Sequence, residues 1–276
     1  MKKILFPTDF SEVSNNAFIY ALKLAESINA EIVTMHTYQL PEANYVNVAE
    51  YLYEVYDVTE LSNFENYKDE IPVLRKIAEE NNLGHIKMSH VLILGSVVPE
   101  IKKITENENF DFVVMGTKGA TSLKETFFGT ITTKVMNDVK TVVLAIPEHC
   151  KYEPIDKVLY ITEYKPEESA SFLKAMDFAK VFQANIECLR VETSHKEVKN
   201  NYINDWSEIN KNKEIIFHSI KGDDVEGIIL NFIDVHKINL IAMHVQHRSF
   251  FEKLFEISLS KKLAFHINVP ILAIHH

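Results

Sequence analysis

The sequence is poor in cysteine, in glycine and in long apolar runs, and each shortage excludes a class of protein. Only two of the 276 residues are cysteines, Cys150 and Cys188, and they form no CxxC pair, so neither a disulfide framework nor a cysteine-based zinc site is supported. No apolar run is long enough to span a bilayer, and the three apolar residues after Lys3 are too few for a signal-peptide core. These shortages predict a cytoplasmic protein that does not associate with membranes.

Clusters of basic residues are also missing. The net charge is −10, and no dense run of Lys and Arg is present, so binding to nucleic acid through a basic surface is not expected. An anionic small molecule is compatible with this charge if backbone amides and helix ends hold it. Apolar residues make up 46% and charged residues 25%, which is typical of a globular protein.

One pattern of strands and helices occurs twice along the chain. KKILFPTD from Lys2 matches DKVLYITE from Asp156 at an offset of 154 residues, and FDFVVMGTKG from Phe110 matches INLIAMHVQH from Ile238 at an offset of 128. Each unit reads β-α-β-α-β-α-β-α-β, which predicts an α/β fold with two tandem open parallel five-stranded sheets flanked by helices. We place the two domains at residues 1–150 and 151–276. Strands of the first unit are predicted near residues 2–8, 31–37, 86–94, 111–116 and 141–146.

The two offsets differ because the first unit carries an insertion. We assign it to residues 40–70, which are rich in Tyr, Asn and acidic residues, and we expect part of it to be helical. A packed surface helix is the preferred interpretation, since exposed aromatic residues mark an interface only when they form a patch. A homodimer formed through this insertion stays open as the alternative.

Three of the seven glycines fall in one loop, MGTKGATSLKETFFGTI. The apolar strand before it ends at Gly116, so the loop leaves the carboxyl edge of the sheet, where ligands bind. Gly116 and Gly119 would let the backbone approach a ligand or adopt positive φ. Gly129 and Thr130 precede a predicted helix, whose free amides and dipole favour an anion. The spacing fits neither GxGxxG nor GxxxxGK[ST], but it predicts a backbone cradle for phosphate.

The loop and the first strand–helix segment resemble the universal stress protein family. The matching stretches are ILFPTDFSEVSNNAFIYALKLA and VVMGTKGATSLKETFFGTITTKVM. Nucleotide-binding members of that family carry Gly-x-x-Gly, nine residues and then Gly-Ser/Thr, which Gly116, Gly119, Gly129 and Thr130 reproduce. The resemblance covers the first unit outside the insertion, and the second unit more weakly. It implies a tandem, stress-response regulatory protein that binds ATP or another adenine nucleotide, with Mg²⁺ as an optional companion.

The resemblance also implies a role for residues that follow the first two strands. Pro7, Thr8 and Asp9 would lie beside the adenosine, with Asp9 near the ribose or the base. A helix N-cap is the alternative role for Asp9. Thr37, at the end of the second strand, would offer its backbone atoms to adenine.

The phosphate side of the site is implied in the same way. Residues that would run along the ribose and the phosphates are Met115, Gly116, Lys118 and Gly119. Residues that would hold phosphate through backbone amides and a hydroxyl are Gly129, Thr130 and Ile131. For Lys118 a solvated surface role is the alternative.

The second unit departs from the motif. His244, His247 and Ile257 stand where the first unit has its three glycines, so side chains occupy the space that backbone approach needs. We therefore predict that nucleotide binding is confined to the first unit. His244 and His247 fit one face of a helix, but no nearby Cys or Asp completes a ligand set, so no metal site is predicted.

The last strand of each unit predicts how the units associate. Universal stress proteins commonly pair through this strand, and both units keep it, as TVVLAI and PILAIH. A bare apolar edge strand is an aggregation hazard, and the other unit is the nearest partner at high effective concentration. The units should therefore pack as a pseudo-two-fold intramolecular dimer.

No catalytic residue is predicted. Phosphoryl transfer requires metal ligands and a group that orients the nucleophile, and only Asp9 and Glu125 are acids near the loop. The alternatives to a regulatory nucleotide-binding protein are a slow nucleotide hydrolase or phosphotransferase, and a scaffold that binds no nucleotide. The regulated protein partner is not apparent from the sequence.

Overall fold

A computed structural model describes residues 1–39, 49–117, 130–194, 215–245 and 268–275, with the side chains of residues 49–58 left out. Lys118, Gly119, Gly129, His247 and Ile257, together with Glu125, lie outside the described residues. Within the described ranges, no helix is both long enough and apolar enough to cross a bilayer.

In the described ranges, ten strands form one continuous sheet in the order β3-β2-β1-β4-β5-β10-β9-β6-β7-β8. The strands of the first half are β1 (Lys2–Pro7), β2 (Ala30–Tyr38), β3 (Met88–Leu94), β4 (Phe112–Gly116) and β5 (Val142–Ile146). Those of the second half are β6 (Lys157–Ile161), β7 (Asn185–Glu192), β8 (Ile216–Lys221), β9 (Leu240–His244) and β10 (Ile271–Ile274). Each half is parallel throughout, and the strand order of one half mirrors that of the other. The predicted α/β architecture is confirmed.

The two halves meet where β5 and β10 pair antiparallel. Leu144 lies opposite Leu272, and both side chains are almost fully buried. This is the only antiparallel pairing among the described strands. It gives the last strand of each half a partner, so the predicted pairing of the two units is confirmed.

Backbone hydrogen bonds of the first half recur in the second half at the two sequence offsets. Phe10 and Tyr164, which follow β1 and β6, also share the same left-handed φ of 59°. The Thr8 amide donates to the Met35 carbonyl, and at an offset of 154 the Thr162 amide donates to the Leu189 carbonyl. The Thr117 amide donates to the Ile146 carbonyl, and at an offset of 128 the Val245 amide donates to the Ile274 carbonyl. The repeat seen in the sequence therefore extends to individual turns.

Helices cover both faces of the sheet, as the alternating pattern requires. One face carries α1 (Glu12–Ile28), α2 (Ala49–Glu80) and α5 (Ser169–Val181), the last preceded by a 3₁₀ turn at Pro166–Glu168. The other face carries α3 (Val97–Asn107), α4 (Thr130–Asp138) and α6 (Val225–His236). Apolar side chains of alternate strand residues fill the two layers between sheet and helices, because successive strand residues point to opposite faces.

The predicted insertion contributes the first part of the long helix α2. Tyr67, Leu74 and Ala78 are buried against the sheet, whereas Leu61 and Phe64 are more than half exposed. The expectation that part of the insertion is helical is therefore confirmed. Its role beyond packing stays a prediction.

The connection between the halves packs against α1. The Tyr20 hydroxyl donates to the Lys151 carbonyl at 2.9 Å, and Asn16 donates to the Cys150 carbonyl at 2.7 Å. The Tyr152 ring contacts the Tyr20 ring, with 5.0 Å between centroids. Both cysteines are free thiols, and burial raises the pKa of Cys150 to about 11, which keeps that thiol protonated.

Candidate functional site

The strand order reverses between β1 and β4, and the carboxyl ends of these two strands frame a crevice. In open α/β sheets such a crevice is where ligands bind. The structure brings Pro7 and Thr8, at the end of β1, beside Met115 and Gly116, at the end of β4. Four predicted site residues that are far apart in sequence thus lie at one edge of the sheet.

Thr37 lies on the other flank of this crevice. The Thr8 amide donates to the Met35 carbonyl at 2.9 Å, so the backbone groups of Met35 face β1. Backbone groups of alternate strand residues point to the same side, so those of Thr37 face the same way. Because β1 has already ended at Pro7, the N–H and C=O of Thr37 point past its end towards the crevice.

The turn after β1 is held by local hydrogen bonds. Asp9 is exposed, and its Oδ1 accepts from the Ser11 amide at 3.1 Å and from the Ser11 hydroxyl at 2.7 Å. Ser11 is itself the N-cap of α1, since its side chain accepts from the Ser14 amide. The N-cap alternative for Asp9 is therefore wrong, because Asp9 supports the capping residue and does not cap the helix.

Aromatic rings line the first-turn side of the crevice. His36 Nδ1 lies 2.8 Å from the Thr8 carbonyl oxygen, which fixes the ring at the end of β2. The Phe10 ring lies 5.2 Å from the His36 ring and 5.8 Å from the Tyr67 ring, measured between centroids. These contacts connect the turn after β1 to helix α2.

Helix α1 approaches the backbone of Gly116 closely. A Cβ atom there would lie 3.0 Å from Val13 Cγ1 and 3.3 Å from the Val13 carbonyl oxygen. Gly116 is the last residue of strand β4, and its φ is not positive. Of the two roles expected of Gly116, positive φ is wrong, and the close approach of a ligand to its backbone stays a prediction.

Two threonines that the sequence analysis did not single out complete the β4 side of the crevice. The Thr132 hydroxyl donates to the Gly116 carbonyl at 2.9 Å and fixes the first turn of α4 to the end of β4. The Thr117 side chain is fully buried, and its hydroxyl has no hydrogen-bond partner among the residues that the structure describes. Thr130 and Ile131 are exposed in the first turn of α4, where backbone amides lack intrahelical acceptors.

In the second half, larger side chains stand at the positions that correspond to the first-half site. Glu168 stands at the position of Ser14, and its carboxylate accepts hydrogen bonds from the Thr162 hydroxyl and the Glu163 amide. His244, in place of Gly116, is buried with Nδ1 2.6 Å from the Ser171 hydroxyl. His244 ends strand β9, so the idea that it lies on a helix face is wrong. A buried carboxylate and an imidazole thus stand at the positions of Ser14 and Gly116, and the imidazole contacts α5, the counterpart of α1.

Replacing Glu168 with Gln should stabilise the protein at neutral pH. Burial raises the pKa of the Glu168 carboxyl, and the hydrogen bonds from Thr162 and Glu163 oppose the rise only in part. The Glu168 carboxyl is therefore protonated in the folded protein at low pH and becomes charged as the pH rises through its folded-state pKa. Because the charged form is disfavoured by burial, the stability of the folded protein falls over that pH range and is lower at neutral pH. Urea unfolding should give a higher midpoint for Glu168→Gln at pH 7.5, with the advantage shrinking as the pH falls towards about 4. An advantage that does not depend on pH would contradict this account.

The mirrored halves and the crevice between β1 and β4 define an open-sheet α/β protein of the Rossmann-like class. The family model of the universal stress protein family matches residues 1–147, more than half of the sequence. The chain belongs to the universal stress protein family.

Similar proteins agree with this assignment. Universal stress protein MJ0577 of Methanocaldococcus jannaschii is 29% identical over 157 residues, which cover 52% of this chain and 94% of that protein. Universal stress protein MJ0531 of the same organism is 30% identical over 146 residues, which cover 52% of this chain and 81% of that protein. The crystal structure of a universal stress protein from Archaeoglobus fulgidus matches 99% of this chain and 98% of its own, with a TM-score of 0.73 and 18% identity. That structure shares the fold over both halves.

Proposed function

We propose that the first half binds an adenine nucleotide and that the chain is a cytoplasmic stress-response regulator rather than an enzyme. The observation that carries the proposal is the Thr117 hydroxyl, which is fully buried at the crevice without a partner in the described part of the chain. A buried hydroxyl that makes no hydrogen bond costs about 1–3 kcal/mol, so a ligand that supplies the missing partner would recover that cost. The equivalent residue of the second half is Val245, which has no hydroxyl to satisfy.

The other groups at the crevice suit the parts of a nucleotide. The backbone N–H and C=O of Thr37 offer one donor and one acceptor, as the edge of an adenine ring requires. The free amides of the first turn of α4, with Thr130 and Ile131, suit phosphate without any basic side chain. Gly116, Gly119 and Gly129 fit the spacing of the family's nucleotide motif. Mg²⁺ as a companion of the phosphates is carried over from the resemblance alone.

We infer further that the two halves are two family domains in tandem, at residues 1–150 and 151–276, of which only the first takes a nucleotide. Glu168 places a carboxylate where the second crevice would have to receive an anionic ligand. Like charges repel strongly when both are shielded from water. One nucleotide per chain is therefore the expected stoichiometry.

The direct test is mass spectrometry of small molecules released from denatured, freshly purified protein. Adenine nucleotide at about one per chain supports the proposal, and calorimetry with ATP, ADP and AMP then ranks the ligands. No nucleotide in the preparation and no binding in solution would favour the scaffold alternative. Turnover above background that is lost in Asp9→Asn would favour the hydrolase or phosphotransferase alternative.

Replacing Thr117 with Val should weaken nucleotide binding without weakening the fold. The substitution removes the unpartnered hydroxyl and keeps the shape, so the unliganded protein should be as stable or slightly more stable. A hydrogen bond to a charged ligand contributes about 1.5–3 kcal/mol, so the dissociation constant should rise about tenfold or more. Calorimetry and urea unfolding of the same preparation measure the two effects.

The matched control is the reciprocal change, Val245→Thr. It adds a buried hydroxyl to the second half, where no ligand is expected, so it should lower stability and leave nucleotide affinity unchanged. Equal loss of affinity in both variants would show that the Thr117 hydroxyl does not contact the ligand.

A further inference from the structure

Three potential ligand side chains converge in the second half, away from the crevice. Glu187 Oε2 lies 2.8 Å from His218 Nε2 and 2.8 Å from His236 Nδ1. One oxygen and one nitrogen from each histidine thus lie within 4.8 Å of one another. This is the only such group of three ligating residues in the part of the chain that the structure describes.

The sheet register and helix α6 bring these residues together. Glu187 pairs with Ile216 and Leu189 pairs with His218, so Glu187 and His218 lie on the same face two residues apart. His236 is the last residue of α6, which packs on that face. The cluster is near the amino ends of the strands, so it is separate from the nucleotide crevice at their carboxyl ends.

The surroundings hold both imidazole rings in place. The Phe232 ring stacks on His236 with 3.8 Å between centroids and an interplanar angle of 12°. The same ring meets His218 edge-on at 4.8 Å. The Lys157 ammonium donates to the His236 carbonyl at 2.9 Å, which satisfies one terminal carbonyl of α6 and fixes the end of the helix. Ligands that are oriented before binding lose less conformational freedom when they bind.

The ligand types select the kind of ion. Two imidazoles and one carboxylate are the protein ligands of many three-ligand zinc sites, which leave a position for water. Mg²⁺ and Ca²⁺ prefer oxygen ligands, so a set with two nitrogens disfavours them. The Glu187 side chain is only 8% exposed, and a cation would compensate the charge of its carboxylate.

The two distances from the histidine nitrogens to Glu187 Oε2 need only a small adjustment. Zinc–ligand bonds of about 2.0–2.1 Å in a tetrahedral site place ligand atoms about 3.4 Å apart. Each histidine nitrogen would therefore move about 0.6 Å from its present distance of 2.8 Å to Glu187 Oε2. The histidine side chains are 24% and 29% exposed, which leaves a path for the ion and for a water ligand.

We propose that Glu187, His218 and His236 bind Zn²⁺ or a chemically similar divalent transition-metal ion, with water completing the coordination. The ion connects the edge strand β8 and its neighbour β7 to the end of α6. It is a structural clip for the outer part of the second half, and it stabilises the folded chain when bound.

The test uses the full chain, purified with a chelator and dialysed, and titrated with ZnCl₂ alone. Wild type should bind one Zn²⁺ at this site, and its melting temperature should rise with Zn²⁺ concentration. Glu187→Gln, His218→Gln and His236→Gln should each weaken that binding by at least about 100-fold, since even loss of an outer-sphere partner costs about 10- to 100-fold. Each variant should lose the Zn²⁺-dependent rise in melting temperature.

Two controls keep the result specific. His85→Gln removes an exposed histidine outside the cluster and should bind Zn²⁺ as wild type does. Glu187→Gln preserves shape and a hydrogen-bond acceptor, and circular dichroism without metal should confirm that it folds. Co²⁺ in place of Zn²⁺ should give the visible absorption of a four-coordinate site in wild type and not in Glu187→Gln. Unchanged Zn²⁺ affinity in Glu187→Gln and His218→Gln, or no binding by wild type, would overturn the proposal.

Discussion

Residues 1–154, expressed without the rest of the chain, should form a homodimer or precipitate. In the full chain, β5 pairs antiparallel with β10, and Leu144 lies at the centre of that pairing and is buried. Removing the second half exposes an apolar edge strand, which readily pairs with another chain. A second copy of β5 is the nearest substitute for β10, because the two strands are related by the internal repeat. The fragment ends after Tyr152 so that the contact of this ring with Tyr20 is kept.

Sedimentation or light scattering over a range of concentrations measures the mass of the fragment. Leu144→Lys in the same fragment should shift the population towards monomer, because a charge on an edge strand opposes strand pairing. A wild-type fragment that stays monomeric and soluble at high concentration would show that edge pairing does not join the halves.

Truncating both leucines at the seam, the antiparallel pairing of β5 with β10, should cost less than the sum of the two single truncations. Leu144 and Leu272 lie directly opposite each other, each about 1% exposed. Leu144→Ala and Leu272→Ala should each lower the free energy of unfolding by about 2–5 kcal/mol, through lost burial and a residual cavity. Because the two side chains share one contact, the double variant should fall short of the sum by about 0.5–3 kcal/mol.

Urea unfolding of the four proteins gives this coupling energy. Leu83→Ala is the matched control, since Leu83 is equally buried but precedes β3, at the outer edge of the sheet. Neighbouring strands lie about 4.8 Å apart, and several strands separate Leu83 from the β5–β10 pairing. The losses of unfolding free energy caused by Leu83→Ala and Leu272→Ala should therefore add to within about 0.5 kcal/mol. Equal coupling in both cycles would mean that the seam leucines do not interact directly.

The fold could be predicted closely because its signals are local. Short apolar runs between helical segments fix strands to within about two residues, as with β3, predicted near residues 86–94 and observed at Met88–Leu94. The repeat implied that both halves share one strand order. Pairing through the last strand followed from the resemblance and from the need to protect an apolar edge, and the register of β5 with β10 agrees with it.

The candidate site could be predicted only in part. Pro7, Met115 and Gly116 end strands, and strand ends are visible in the sequence. The unpartnered hydroxyl of Thr117 is not, because a threonine after a strand is ordinary until the fold shows that its side chain is buried without a hydrogen bond to any described residue. The close approach of α1 to Gly116 is not visible either, since only the packing of α1 brings Val13 against it.

The sequence by itself determined the class of fold, the recurring pattern of strands and helices, the loop that carries the glycine motif and the absence of that motif from the second half. These properties depend on composition, periodicity and spacing along the chain. Only the tertiary structure decided which distant side chains meet. Glu187 is 31 residues from His218 and 49 residues from His236, and no local pattern connects them. They converge because the register of β7 with β8 sets two of them on one face, and because α6 ends above that face.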